Sequence, residues 1–206
     1  MFCVVRSTTK IMAAAALAAS VLLTGFSAEA ASSNFMQTGK TTSQPIGHYE
    51  FCKREAAECN VTSRDTRPLQ LTSANWQNII AVNHSINERI KPMTDMEIYG
   101  VEEYWAYPTT VGDCEDYVLL KQRELNEAGI PISNLLITVV RKPDGEGHAV
   151  LTVRTDRGDY ILDNLTDEVM RWDDTDYSYL KRQASNHSGR WVSIEAPENL
   201  LVGAVR

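Results

Sequence analysis

The hydrophobic pattern of this chain changes period once, just after Gly129, and that change limits the fold more than any other feature. Before it, apolar residues recur at helical spacing. Trp76, Ile79, Ile80, Val82, Ile86 and Ile90 predict a helix that starts near Ser73, capped by Thr72 or Ser73, and stops at Pro92. A second helix is expected from Cys114 to about Ala128, with Val118, Leu119, Leu120 and Leu125 inside and Gly129 as its stop. After Gly129 the pattern turns to β-branched runs. Residues 134–141, 147–154 and 159–165 read as strands, separated by turns at Pro143-Asp144-Gly145 and Asp156-Arg157-Gly158. Consecutive hairpins make an antiparallel meander, and residues 190–195 add a final strand. Helices first and strands second is the α+β order.

The ends of the chain read differently from this middle. Arg6 and Lys10 precede an apolar run over residues 11–26, and Ala28-Glu29-Ala30 follows with small residues where a signal peptidase reads. The run is shorter than the roughly 20 residues of a membrane helix. Residues 1–30 are therefore expected to be a secretory signal peptide of bacterial type, leaving no membrane span after cleavage and a periplasmic or secreted protein. Residues 31–47, rich in Ser, Thr and Gln, read as a flexible lead-in, and 48–206 as the globular domain. Residues 93–110 read as a long connection holding Tyr104, Trp105, Tyr107 and Pro108. A net charge of -7 argues against nucleic acid as a partner, because phosphate binding needs a basic face.

Three cysteines follow the leader. Cys52 and Cys59 lie close enough in a polar stretch to close a small disulfide loop in an oxidising compartment. That leaves Cys114, which reads either as a reactive thiol or as an inert buried one.

The neighbours of Cys114 favour the reactive reading. Gly112-Asp113-Cys114-Glu115-Asp116 opens the second helix. There the sulfur faces unpaired backbone N–H groups and the positive end of the dipole, which favour the thiolate. Asp113 and Asp116 have the spacing of a reciprocal cap. The same carboxylates oppose a thiolate, so an imidazolium or a bound cation would have to offset them. Of four histidines, His48 lies in the polar lead-in, His187 in a loop, and His84 at the border of a helical stripe. His148 sits in a predicted strand, and Asp163 in the next one. In an antiparallel pair, facing residues have constant summed numbers. A four-residue loop over 154–157 sets His148 opposite Asp163, whereas a three-residue loop over 156–158 turns Asp163 to the other face.

With Tyr104-Trp105-Ala106-Tyr107-Pro108, Gly147-His148-Ala149-Val150-Leu151 and Leu162-Asp163-Asn164, the Cys114 block resembles the bacterial transglutaminase-like cysteine proteinases from near residue 71 to near 192. The resemblance implies a papain-like α+β fold with the nucleophile at a helix start packed on an antiparallel sheet. It implies Cys114 as nucleophile, His148 as general base and acid, and Asp163 as orienter. Some members are calcium-dependent periplasmic proteases that release biofilm adhesins. The positions matching their ion-binding acids are Asp113, Glu115 and Asp116, and the sequence itself requires no cofactor. The expected activity is hydrolysis of an amide bond in a protein or peptide, such as a cell-surface adhesin, through a thioester. Acyl transfer to an amine, and a binding module that kept the fold without turnover, are the alternatives.

Overall fold

The structure, a computed structural model, describes residues 34–195. The signal-peptide stretch lies outside these residues. In chain order the helices are α1 (Ile46–Arg54), α2 (Ala56–Cys59), α3 (Ser73–Arg89), α4 (Asp95–Tyr99) and α5 (Cys114–Glu127). The strands are β1 (Thr38–Thr42), β2 (Lys91–Pro92), β3 (Val111–Gly112), β4 (Leu135–Arg141), β5 (Gly147–Thr155), β6 (Gly158–Leu162), β7 (Met170–Arg171), β8 (Ser178–Ala184) and β9 (His187–Ile194). Thr72 caps α3 by accepting the Asn75 N–H, and α5 begins and ends within a residue of its expected bounds. The expected connection over 93–110 contains α4, which a Thr94–Glu97 capping box starts and Gly100, at φ 73°, ends.

Seven strands form one antiparallel sheet in the order β1-β9-β8-β4-β5-β6-β7. β4, β5 and β6 are the expected meander, and β7 and β8 are strands the sequence pattern did not announce. The pleat sends alternate residues to two cores. Leu135, Ile137, Ala149, Leu151, Val153, Leu162 and Trp191 pack with Val118, Leu119 and Leu125 of α5 and Ile79 of α3. Met36, Val140, Val150, Ile161, Trp172 and Ile194 form the other core. The Gln122 amide of α5 donates to Leu135 O (2.7 Å) and to Gln183 Oε1 (2.9 Å), tying the helix to β4 and β8.

Part of the stretch expected to be a flexible lead-in is built into the fold. β1 pairs with β9 at the sheet edge, and Met36 and His48 are buried. Polar composition misled here because β1 is an edge strand with mostly exposed side chains. His48 is not a lead-in residue but a core one. The Trp191 indole donates to its Nδ1 (3.3 Å), and burial pushes the ring down to about 4, which keeps it neutral. Trp105 and Trp172 are likewise core residues.

The β5–β6 hairpin is tighter than either expected loop. Arg154 faces Asp159 and Thr155 faces Gly158, so only Asp156 and Arg157 form the turn. Gly158, at φ 146°, lies where side chains are strained, and a Cβ there would sit 3.0 Å from Asn34 O. The shift from the four-residue register is two residues. A two-residue shift preserves the face of every side chain, so Asp163 stays on the face of His148, diagonal to it rather than opposite.

Cys52 and Cys59 form a disulfide that joins α1 to α2, with a Cα–Cα distance of 5.5 Å. Chain entropy for so short a loop gives about 2.5 kcal/mol of stabilisation. Cys52→Ser/Cys59→Ser should lower the melting temperature by about 5–10 °C. An unchanged melt would show that the crosslink does not constrain the unfolded chain.

Candidate active site

Packing of α5 on β4 and β5 brings the first turn of the helix to the start of β5. Cys114 is the first residue of α5, and Asp113 is the N-cap residue. The reciprocal cap is only half made. Asp116 accepts the Asp113 backbone N–H, but the Asp113 side chain makes no cap bond. Its Oδ2 instead accepts the Asp95 N–H at 3.2 Å, so α4 draws it away from its own helix. Asp116 Oδ1 accepts the Ala106 N–H at 2.8 Å. Gly112 has a local reason: a Cβ there would lie 2.8 Å from Asp116 Cβ and Oδ2.

The Cys114 thiol donates to Glu115 Oε2 at 3.2 Å and receives the backbone N–H of Ala149, the residue after His148. Burial drives this thiol well above its ordinary range, the Glu115 carboxylate adds to the effect, and the Ala149 N–H opposes it. The helix start alone does not produce a thiolate here. A dipole is worth about 0.3–1 kcal/mol, less than burial beside a carboxylate withdraws.

His148 is buried, and its Nε2 bonds Asp163 Oδ1 at 2.8 Å. Asp163 also accepts the Leu165 N–H (3.0 Å) and the Tyr177 hydroxyl (2.7 Å). Burial raises this carboxyl, but the hydrogen bond and charge of His148, with Tyr177 and Leu165, more than offset it. Asp163 lies below its ordinary range and stays ionised. The Tyr177 ring meets the His148 ring edge-on at 5.7 Å. The structure thus brings His148 and Asp163 together, and sets Cys114 beside the residue next to His148. Among the described residues, no hydrogen bond joins the Cys114 sulfur to the His148 ring.

The acidic residues divide into two roles. Asp95, Asp113 and Asp116 each offer an oxygen within 4.8 Å of the others, whereas the Glu115 carboxylate is turned to the sulfur and to Asp113. Asp95 Oδ1, Asp113 Oδ1 and Asp116 Oδ2 are buried and accept no hydrogen bond. Burial, with the neighbouring acids, raises Asp116 to about 7 and Glu115 to about 9. Crowded carboxylates with free lone pairs suit a hard cation bound by oxygen. Sequence spacing pointed to Asp113 and Asp116 but not to Asp95 or Tyr177, which arrive from α4 and from the segment before β8. The only local signal for Asp95 was the Thr94–Glu97 capping pattern around it. Nothing local marked Tyr177. His84 stays outside the site and bonds Asp167 at 2.9 Å on the surface.

A carboxyl whose folded pKa is raised favours folding fully below its unfolded value, and that gain is lost as pH rises through the folded value. Without added metal, Asp116 should therefore make stability fall between about pH 4 and pH 7. Asp116→Asn should flatten that part of the melting-temperature profile. An identical slope in the variant would show that Asp116 is not held protonated.

A family model described as bacterial transglutaminase-like cysteine proteinase matches residues 38–199. A search of curated protein sequences finds no match. Among solved structures, calcium-bound LapG of Legionella pneumophila is 23% identical, with 63% of this chain and 75% of that chain covered and a TM-score of 0.50. Another structure of Legionella pneumophila LapG is 26% identical, with 57% and 68% covered and a TM-score of 0.49. The family match spans most of the chain, helices packed on an antiparallel sheet included: this chain belongs to the bacterial transglutaminase-like cysteine proteinases.

Proposed function

We propose that the protein is an exported cysteine peptidase that cleaves an amide bond of a periplasmic or cell-surface protein with Cys114, His148 and Asp163. The observation that carries this reading is the buried His148–Asp163 pair at 2.8 Å, whose neighbour Ala149 donates its N–H to the sulfur at the head of α5. Asp163 occupies Nε2 of the imidazole, which leaves Nδ1 to exchange a proton with Cys114. His148 takes the thiol proton, and Cys114 attacks the scissile carbonyl. The Cys114 backbone N–H, in the first turn of the helix, stabilises the oxyanion. His148 then protonates the leaving amine, and water attacks the thioester with His148 as base. Asp163 holds the ring and supports its positive charge, and Tyr177 fixes the Asp163 carboxylate.

Asp113 and Asp116, with Asp95, would hold a calcium ion through the oxygens that now lack partners, and Glu115 lies beside them. Bound there, such an ion would supply positive charge next to the thiol, where burial, Glu115 and Asp113 oppose ionisation. The calcium-bound LapG structure, the residues matching the family's ion-binding acids and the unsatisfied oxygens support this reading together. Residues 1–30 supply export, and among the described residues no helix is long and apolar enough to cross a membrane. The resemblance to adhesin-releasing members makes a surface adhesin the first substrate to test.

Quantitative proteomics of cell surface and medium, with the active enzyme and with Cys114→Ala or His148→Ala, tests the mechanism. Each variant should fold and lose turnover by at least about a thousandfold. Release that persists with either folded variant contradicts the triad. For calcium, a chelator should lower activity and reduce the melting temperature by about 5 °C or more. An unchanged melt would leave the acids as structural groups alone.

A further inference from the structure

Residues 163–169 connect β6 to β7 without regular secondary structure. Asp163 lies one residue past the last pair of β5 with β6, Leu151 and Leu162, yet its carboxylate has to stay on the His148 ring. The outside tie comes from α3. Ile79, Asn83, Ile86 and Ile90 follow one another at helical spacing, and Asn83 takes a place in this buried stripe where an apolar residue would pack. Asparagine is a weak helix former, because its side chain competes for backbone hydrogen bonds. Buried in a helix interior, it needs partners elsewhere. Asn83 Nδ2 donates to Thr166 O (3.2 Å) and Asp167 O (3.1 Å). One turn on, Asn87 Nδ2 donates to Asp163 O (2.9 Å), Thr166 O (3.1 Å) and Asp167 Oδ1 (2.9 Å), its two N–H groups shared among three acceptors.

The two asparagines hold different ends of the segment. Asn83 grips Thr166 and Asp167, where the exposed His84–Asp167 pair (2.9 Å) also binds. Asn87 reaches Asp163 itself. Asp163 is thereby held on both sides: its carboxylate by the imidazole (2.8 Å), the Leu165 N–H (3.0 Å) and the Tyr177 hydroxyl (2.7 Å), and its carbonyl by α3.

We propose that Asn87 is a positioning residue of the catalytic centre: by binding the Asp163 carbonyl it fixes the backbone from which the Asp163 carboxylate reaches His148. This rests on the catalytic reading of Cys114, His148 and Asp163. Asn87 touches no reacting atom and acts through Asp163. A displacement of roughly 1 Å in a catalytic constellation can lower a rate about a hundredfold, so a single carbonyl contact at this point matters to the chemistry.

The test compares the full, calcium-loaded protein with Asn87→Leu, which keeps the side-chain volume, and Asn87→Asp, which keeps the shape but turns the donor into an acceptor. The probe is the rate of Cys114 alkylation by iodoacetamide at about pH 6.5, where an unassisted thiol reacts slowly. Both variants should keep the amide protection of β5 and lose at least about tenfold in alkylation rate. The Leu165 N–H, which binds the Asp163 carboxylate, should exchange at least about tenfold faster in them. His84→Ala, which loosens only the exposed end of the segment, should react as the parent does. Folded Asn87 variants that react at the parent rate overturn the proposal, and so does an equal loss in His84→Ala, which would assign the effect to the segment at large. A measurement on the unsubstituted protein stands apart from any folding defect: the Asn87 side-chain NH₂ should exchange slowly with solvent, and exchange as fast as a free amide overturns the proposal. Failure of the triad reading shows separately, as an alkylation rate that His148→Ala leaves unchanged.

Discussion

Packing of α5 against β4 and β5 is the contact on which the site depends. Val118, Leu119 and Leu125 share one core with Leu135, Ile137, Ala149, Leu151 and Val153. Each of the Val, Leu and Ile side chains contributes about 1.5–3 kcal/mol when fully buried. That apolar contact holds the helix start at the start of β5, where Ala149 reaches the Cys114 sulfur. It also offsets what is crowded at the same place: Asp95, Asp113, Glu115 and Asp116 packed around one helical turn.

The site is built on two opposed electrostatic environments. Around His148 the charges are complementary. Asp163 is ionised and fully engaged, by the imidazole, by the Leu165 N–H and by the Tyr177 hydroxyl. Around Cys114 they are like charges. Burial first, then Glu115 and Asp113, raises the thiol, and burial first, then Asp113 and Asp95, raises Asp116. The helix dipole is too weak to reverse this. The cation proposed for the three unsatisfied oxygens would supply the opposite charge there.

Local pattern made the helix at Cys114, the strand at His148 and the β4–β6 meander legible, because each announces itself by spacing and by turn residues. The face shared by His148 and Asp163 was legible only as a condition, an even number of loop residues, and the two-residue turn meets it. What was illegible depends on tertiary partners. β1 looks like a tail because its side chains are mostly exposed and its order comes from pairing with β9. His48 looks like a surface residue but is buried among Phe51, Trp105 and Trp191. Asp95 and Tyr177 join the site from distant segments. Asp113 fits a cap by spacing, yet its side chain serves Asp95.

The alkylation rate of Cys114 by iodoacetamide as a function of pH, in the calcium-loaded protein and in its His148→Ala variant, addresses the central claim most directly. A thiol paired with His148 should react well below the ordinary thiol value of about 8.5, with a low-pH shoulder that the variant loses. A single titration at or above about 8.5, identical in the two proteins, would contradict the account.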